Sequence, residues 1–243
     1  MKIIDHLLST LNFETEVRDI RQGPFQTAVF TRYCGLASTP HESGEHHAKS
    51  PVEDACNLIE KTAADLAKMA YSSSPNEASI GMAAINSLIE IDERQCLQLN
   101  AGDLLMEKGK GKKVAIVGHF PFISKLRQSA GELWVLELHP RPGDYAADEA
   151  DRLIPQADVI GITGTAFTNH TIEHLLELCR PDAYVVILGG TAPLSAVLFD
   201  YGVDAVSGTR VVDPEKVLNC VSQGATFRQI QGISLLTMKL GRS

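Results

Sequence analysis

The stretch that decides the fold is ADVIGITGTAFTNHTIEHLLEL, Ala157 to Leu178. It opens on a short apolar run ending at Ile162, breaks at Gly164 into the polar turn Thr163 to Asn169, and continues as the amphipathic segment NHTIEHLLELC. A run too short for a buried helix, a glycine turn and a helical period together describe a strand feeding a helix. The unit recurs on both sides. KKVAIVG and LWVLELH precede it, DAYVVILGG and VDAVSG follow, and PEKVLNCV supplies another amphipathic stretch. Near-continuous hydrophobic strands alternating with helices indicate an α/β fold built on a doubly wound parallel sheet. SLLTMKL near the end adds a sixth strand.

Upstream the pattern changes. Ile3, Ile4, Leu7, Leu8 and Leu11 form one face of a short helix. ETEVRDIRQ and FQTAVFTRYCGLAS alternate with period two and read as a strand pair turned at Gly23-Pro24. Ser50-Pro51-Val52-Glu53 is a capping box with proline at the first helical position, followed by Val52, Ala55, Cys56, Ile59, Ala63, Leu66 and Met69 on one face. Ser74-Pro75-Asn76-Glu77 repeats that signal before ASIGMAAINSLIE, where Gly81, Ala83 and Ala84 make a thin helix suited to close packing. The order predicts a small α+β domain over residues 1–96 and the α/β domain over 97–243, with the boundary between Gln95 and Gly111.

Composition narrows the function. The chain has 243 residues, 44% of them apolar, and a net charge of −8. Its basic residues are scattered apart from Lys108 to Lys113, so nucleic acid, which rewards a basic stripe, is not an expected partner. No run approaches the roughly 18 apolar residues of a membrane span. The N-terminus carries acids and no cleavage site, and reads as folded chain. Five dispersed cysteines without a C-x-x-C pair fit a cytoplasmic protein, with Cys56 and Cys179 expected to pack as small hydrophobes.

In an open parallel sheet, ligands bind beyond the carboxyl ends of the strands. The polar turns expected there are GHFPF (Gly118–Phe122), ELHPRPGD (Glu137–Asp144), TGTAFTN (Thr163–Asn169), GGTAPLS (Gly189–Ser195) and SGTRVVD (Ser207–Asp213). The dinucleotide fingerprint G-x-G-x-x-G is absent, because His119-Phe120-Pro121-Phe122 follows Gly118. Glu137 closes the second strand about where a ribose-binding acid would stand, or forms a solvated or Arg141-paired carboxylate. Ordinary NAD chemistry is disfavoured, whereas a nucleoside-bearing ligand such as S-adenosylmethionine stays open. His119 follows the first strand and is a candidate acid/base or ligand; His139 and Asp144 are weaker candidates. Thr165, Thr168 and Asn169 are placed to cap the following helix.

HESGEHH, His41 to His47, resembles two zinc-protease motifs and fits neither. His41 and His46 are five apart, which on a helix turns the rings roughly 140° away from each other. The stretch is expected to be a loop. His41, His46 and His47 suit a transition metal only if that loop folds over, the more so if it lies above the crevice of the second domain.

GLAST (Gly35–Thr39), SIGMAAINSLI (Ser79–Ile89), VGHFPFI (Val117–Ile123), Ala157–Leu178 and GGTAPLSAVLFDYGVDAVSGTRVVDPE (Gly189–Glu215) resemble a prokaryotic family described as "putative heavy-metal chelation". The resemblance spans nearly the whole chain. It implies an enolase N-terminal-like domain joined to a Rossmann-like domain, with a crevice shared between them and a link to anaerobic or metal metabolism. Carried over by position, the implied crevice residues are Ser38, Thr39, Asn86, Gly118, His119, Phe120, Thr163, Thr165, Asn169, Thr191 and Ser195. The HESGEHH loop is not part of that motif.

Three functions follow as expectations. One is a protein that binds a heavy metal or a metal chelate in the crevice, the cofactor being a transition metal or its chelate. The second is an enzyme on a small nucleotide-like or pterin-like metabolite, with His119 or Glu137 as acid/base. The third is a non-catalytic ligand sensor. A small-molecule or metal-chelate partner is expected throughout, and the thin helix Ser79–Ile89 invites either a homo-oligomer or docking on the second domain.

Overall fold

The computed structural model describes residues 1–40 and 52–240. The first lobe opens with helix α1 (Lys2–Ser9), whose Ile3, Ile4 and Leu7 are buried. Strands β1 (Asp19–Gln22), β2 (Gln26–Phe30) and β3 (Cys34–Ser38) form an antiparallel meander. The sequence reading gave a strand pair here; the second strand in fact reverses at Thr31–Tyr33. That reversal needs no glycine, because Thr31 is buried and its hydroxyl bonds the Ser87 hydroxyl at 2.8 Å.

The helix expected from Ser50 does not form over its described residues. Residues 53–57 and 59–60 are exposed, and Cys56 faces solvent instead of the core. The Glu53 amide donates to Glu77 Oε1 at 2.8 Å, which ties the segment to a later helix and leaves no capping turn. The helix begins at Thr62, whose hydroxyl accepts from the Asp65 amide at 3.1 Å and starts α2 (Ala63–Lys68). A 3₁₀ turn (Met69–Tyr71) leads to α3 (Pro75–Leu88), with proline in its first turn. Nearly every residue of α3 from Ala78 onward is buried. Its thin face is covered within the chain, by the Met69–Tyr71 turn and β3.

The second lobe is an α/β sheet of eight strands. In chain order they are β4 (Cys96–Leu97), β5 (Lys113–Val117), β6 (Glu132–Glu137), β7 (Tyr145–Ala146), β8 (Val159–Thr163), β9 (Tyr184–Leu188), β10 (Ala205–Val211) and β11 (Ile233–Lys239). Helices α4 (Ala101–Gly109), α5 (Ile123–Ser129), α6 (Ala150–Leu153), α7 (Thr165–Thr168), α8 (Ile172–Glu177) and α9 (Pro214–Ser222) lie between them. The spatial order is β4-β11-β10-β9-β8-β5-β6-β7. From β7 to β10 every pairing is parallel, and numbering from β5 gives 3-2-1-4-5-6, the order of a Rossmann sheet. The sixth expected strand, β11, pairs antiparallel with β10, and β4 pairs antiparallel with β11. The expected domain boundary thus falls at β4, which already belongs to the large sheet.

Both faces of that sheet are covered. One carries Leu104, Leu105, Val114, Ile116 and Leu126. The other carries Ile160, Ile162, Phe167 and Ile187 in a core continuous with Ile80, Met82 and Ile85 of α3. No helix of the described residues is long and apolar enough to cross a membrane.

Candidate functional site

The direction in which successive strands are laid down across the sheet reverses between β5 and β8, parallel strands paired through Val117 and Ile162. At such a point the two following turns diverge to opposite faces and leave a crevice beyond the strand ends. Here the crevice measures about 2060 Å³. Gly118 follows β5 at φ +102°, and a Cβ there would lie 2.9 Å from Cβ of Thr163, so glycine is needed for the two turns to meet.

Of the residues singled out in the sequence, Ser38, Gly118, His119, Phe120, Glu137, Thr163, Thr165, Asn169 and Thr191 line this crevice. Thr163 and Thr165 hydroxyls bond each other at 3.0 Å. Asn169 Oδ1 accepts from the Thr171 amide at 3.2 Å and hydroxyl at 2.7 Å, and so shapes the start of α8. Thr191 is buried and its hydroxyl accepts the Ser38 amide at 2.9 Å, which brings the first lobe onto the crevice wall.

Thr39, Asn86 and Ser195 lie outside the lining. The Thr39 hydroxyl bonds Thr27 at 2.9 Å within the small sheet. Asn86 Nδ2 donates to the carbonyls of Leu36 at 2.8 Å and Thr191 at 3.2 Å, so both its protons are spent joining the lobes. Ser195 accepts the Val197 amide at 3.3 Å and starts a 3₁₀ turn. His41, His46 and His47 lie outside the described residues.

Two histidine–carboxylate pairs face the crevice. His119 Nδ1 stands 3.3 Å from Oδ2 of Asp144, whose side chain is only 4% exposed and which also accepts the Arg141 amide at 3.2 Å. A carboxylate on Nδ1 fixes the ring and leaves Nε2 free to take a proton. His174 Nε2 meets Asp151 Oδ1 at 2.6 Å on the α8 side. The His174–Asp151 pair was not legible in the sequence, where the two lie 23 residues apart.

Arg127, Arg141 and Arg228 also line the crevice, and their guanidinium groups have no carboxylate partner among the described residues. The paired reading of Glu137 and Arg141 is not what the structure shows: the Glu137 carboxylate takes no protein hydrogen bond or ion pair among the described residues. Phe120 and Phe122 stack at 5.3 Å with planes 10° apart on the same wall.

A bare heavy metal does not fit this set. The lining offers hydroxyls, carboxamides and dispersed carboxylates, its two imidazoles already face aspartates, and its arginines cannot ligate a cation, whereas soft metals prefer thiolate and free imidazole. None of the five cysteines lines the crevice, and among the described residues no three His, Cys, Asp or Glu side chains stand together to hold an ion. Burial pushes the Cys34 thiol up to about 12, with Asp19 adding to it, and pushes Cys179 up to about 12, away from the thiolate a metal needs.

Comparisons with known proteins agree on one group. Family models described as "Putative heavy-metal chelation" match residues 100–239 and, in a second model, 4–89. An uncharacterized protein of Methanocaldococcus jannaschii is 27% identical over 183 residues, covering 72% of this chain and 71% of its own. A crystal structure of a protein of unknown function from Desulfitobacterium hafniense superposes with a TM-score of 0.85 at 26% identity, over 98% of both chains. One from Pyrococcus horikoshii gives 0.84 at 20% identity, over 98% of this chain and all (100%) of its own. Both solved structures come from the family whose model matches residues 100–239.

Proposed function

This chain belongs to the family described as "Putative heavy-metal chelation", and from that premise we propose that its crevice binds a small organic molecule with acidic and hydroxyl groups, a metal chelate included, and not a bare metal ion. The observation that carries the reading is the set of polar side chains in the crevice left without protein partners among the described residues. Arg127, Arg141 and Arg228 await acidic groups, while Glu137 awaits hydroxyl or amine donors. A bare soft cation would use none of the arginines; a chelate brings its own donors to the metal and presents carboxylates outward. The first lobe contributes Ser38 and closes one side, so the site lies between the lobes. The reading places the protein in the cytoplasm, in keeping with its free cysteines.

The His119–Asp144 pair favours a second reading, in which the bound molecule is also acted upon by proton transfer at His119 Nε2. Native mass spectrometry of tag-free protein, compared with the denatured sample, tests the first reading. An organic mass retained by a variant with His41, His46 and His47 all changed to alanine supports it. A metal-sized mass lost in that variant overturns it. For the second reading, chemical alteration of the released molecule by the parent but not by His119→Ala is the expected result.

A further inference from the structure

We infer that the β5–β6 arm of the crevice is a nucleoside subsite, in which the Glu137 carboxylate receives the two hydroxyls of a ribose. This rests on the reading of the crevice as a site for an organic ligand and names the ligand's class. β6 is the second strand of the 3-2-1-4-5-6 order, next to the strand that leads into the crevice. The Gly118 amide donates to the Leu136 carbonyl at 2.9 Å, so the turn after β5 and the end of β6 lie side by side. Glu137 is the last residue of β6 and lines the crevice, and its carboxylate takes no hydrogen bond or ion pair among the described residues. An ionised carboxylate only accepts, and its two oxygens match a pair of neighbouring hydroxyls.

The surroundings suit a base beside that sugar. Leu138 is 63% exposed immediately after Glu137 and lines the same crevice. The stacked Phe120–Phe122 pair gives a second apolar surface there. The same residues exclude a diphosphate bridge. In a dinucleotide site, glycines and free amides before the helix cradle the pyrophosphate. Here that turn is His119-Phe120-Pro121-Phe122, where Pro121 offers no amide proton. The Phe122 ring is wedged against Gly102, at which a Cβ would come within 2.8 Å of it. The ligand class is therefore a nucleoside without a diphosphate bridge.

Isothermal titration of the full chain with adenosine, guanosine, cytidine and uridine tests this. At least one should bind. Its 2′-deoxy counterpart should bind roughly ten- to a hundred-fold more weakly, the range for losing a hydrogen bond to a charged group. Glu137→Gln should weaken the ribonucleoside by a similar factor with unchanged thermal stability, and NAD should bind more weakly than the nucleoside. Failure of all four ribonucleosides overturns the inference, as does affinity indifferent to the 2′-hydroxyl and to Glu137→Gln, or NAD binding as tight as the nucleoside. A non-nucleoside organic mass in native mass spectrometry, with no ribonucleoside binding, sinks this inference and leaves the crevice reading standing. No organic mass together with no nucleoside binding sinks both.

Discussion

Replacing Gly81 by alanine would be stabilising on an open helix, and the structure reverses that sign. In mid-helix, alanine is better than glycine by about 1 kcal/mol. In α3 the added Cβ would lie 1.9 Å from the Ala70 amide nitrogen and 2.5 Å from the Ala70 Cα and the Met69 carbonyl carbon. These are backbone atoms of the Met69–Tyr71 turn, so no side chain can swing away. Restoring an ordinary contact of about 3.4 Å requires α3 or the turn to retreat by about 1.5 Å, in the middle of a buried interface. Overpacking of this kind costs typically 1–3 kcal/mol and more where backbone is the obstacle. Taking the upper end, about 3 kcal/mol, because the obstacle is backbone, and subtracting the propensity gain of about 1 kcal/mol, Gly81→Ala should lose about 2 kcal/mol. For a chain of this size that is a fall in Tm of about 4–8 °C. Trp134, the chain's one tryptophan, is 4% exposed and reports unfolding by fluorescence, with circular dichroism as a second probe. A variant as stable as the parent, or more so, would refute the backbone-contact packing of α3.

Three further outcomes follow from named contacts. Thr191→Val keeps the shape but strands the Ser38 amide, and should cost about 1–2 kcal/mol in urea denaturation, with Thr191→Ser restoring it. The Lys113 amide, bonded at 3.0 Å, and then Arg180 hold the Asp158 carboxyl below the usual carboxylate range. A lowered folded value gives stability that is present above the unfolded pKa of about 3.9 and lost as pH falls through the folded value. Asp158→Asn should therefore be the less stable protein at pH 7, and its deficit should shrink as melts are repeated below about pH 4. A thiol-reactive dye near neutral pH should label exposed Cys56 rapidly and react far more slowly with buried Cys34 and half-buried Cys179, whose thiol is bonded to the Leu175 carbonyl; loss of either as fast as Cys56 would contradict their placement.

Five of the six parallel strands were legible because each is a compact apolar run with a polar turn at its end, and burial on both faces leaves little room for any other composition. Their spatial order was not, since it depends on pairings such as Val117 with Ile162 that are remote in sequence. Strands β4 and β7 have two residues each and carry no period to detect. The capping box at Ser50 was a sound local signal, but the Glu53 amide finds its acceptor in Glu77. Within the crevice, turn residues such as His119, Thr163 and Thr191 were legible because the chain must turn at strand ends. Arg127, Arg141 and Arg228 were not singled out as a set, because nothing in one dimension distinguishes an arginine facing a crevice from one facing water. Asn86 was named only through the family resemblance; that it clasps the two lobes follows only from where Thr191 comes to rest.

The third apolar cluster joins Ala28, Cys34 and Leu36 of the small meander to Val217, Leu218 and Val221 of α9. During synthesis the meander leaves the ribosome long before α9 exists. Until residues 214–222 have emerged, that face of the meander lacks its α9 partner, so the first lobe is begun well before it can be completed. Translation pauses or truncations ahead of residue 214 would leave an open apolar sheet face in the cell, and quality control of this protein should act on nascent chains more than on completed ones.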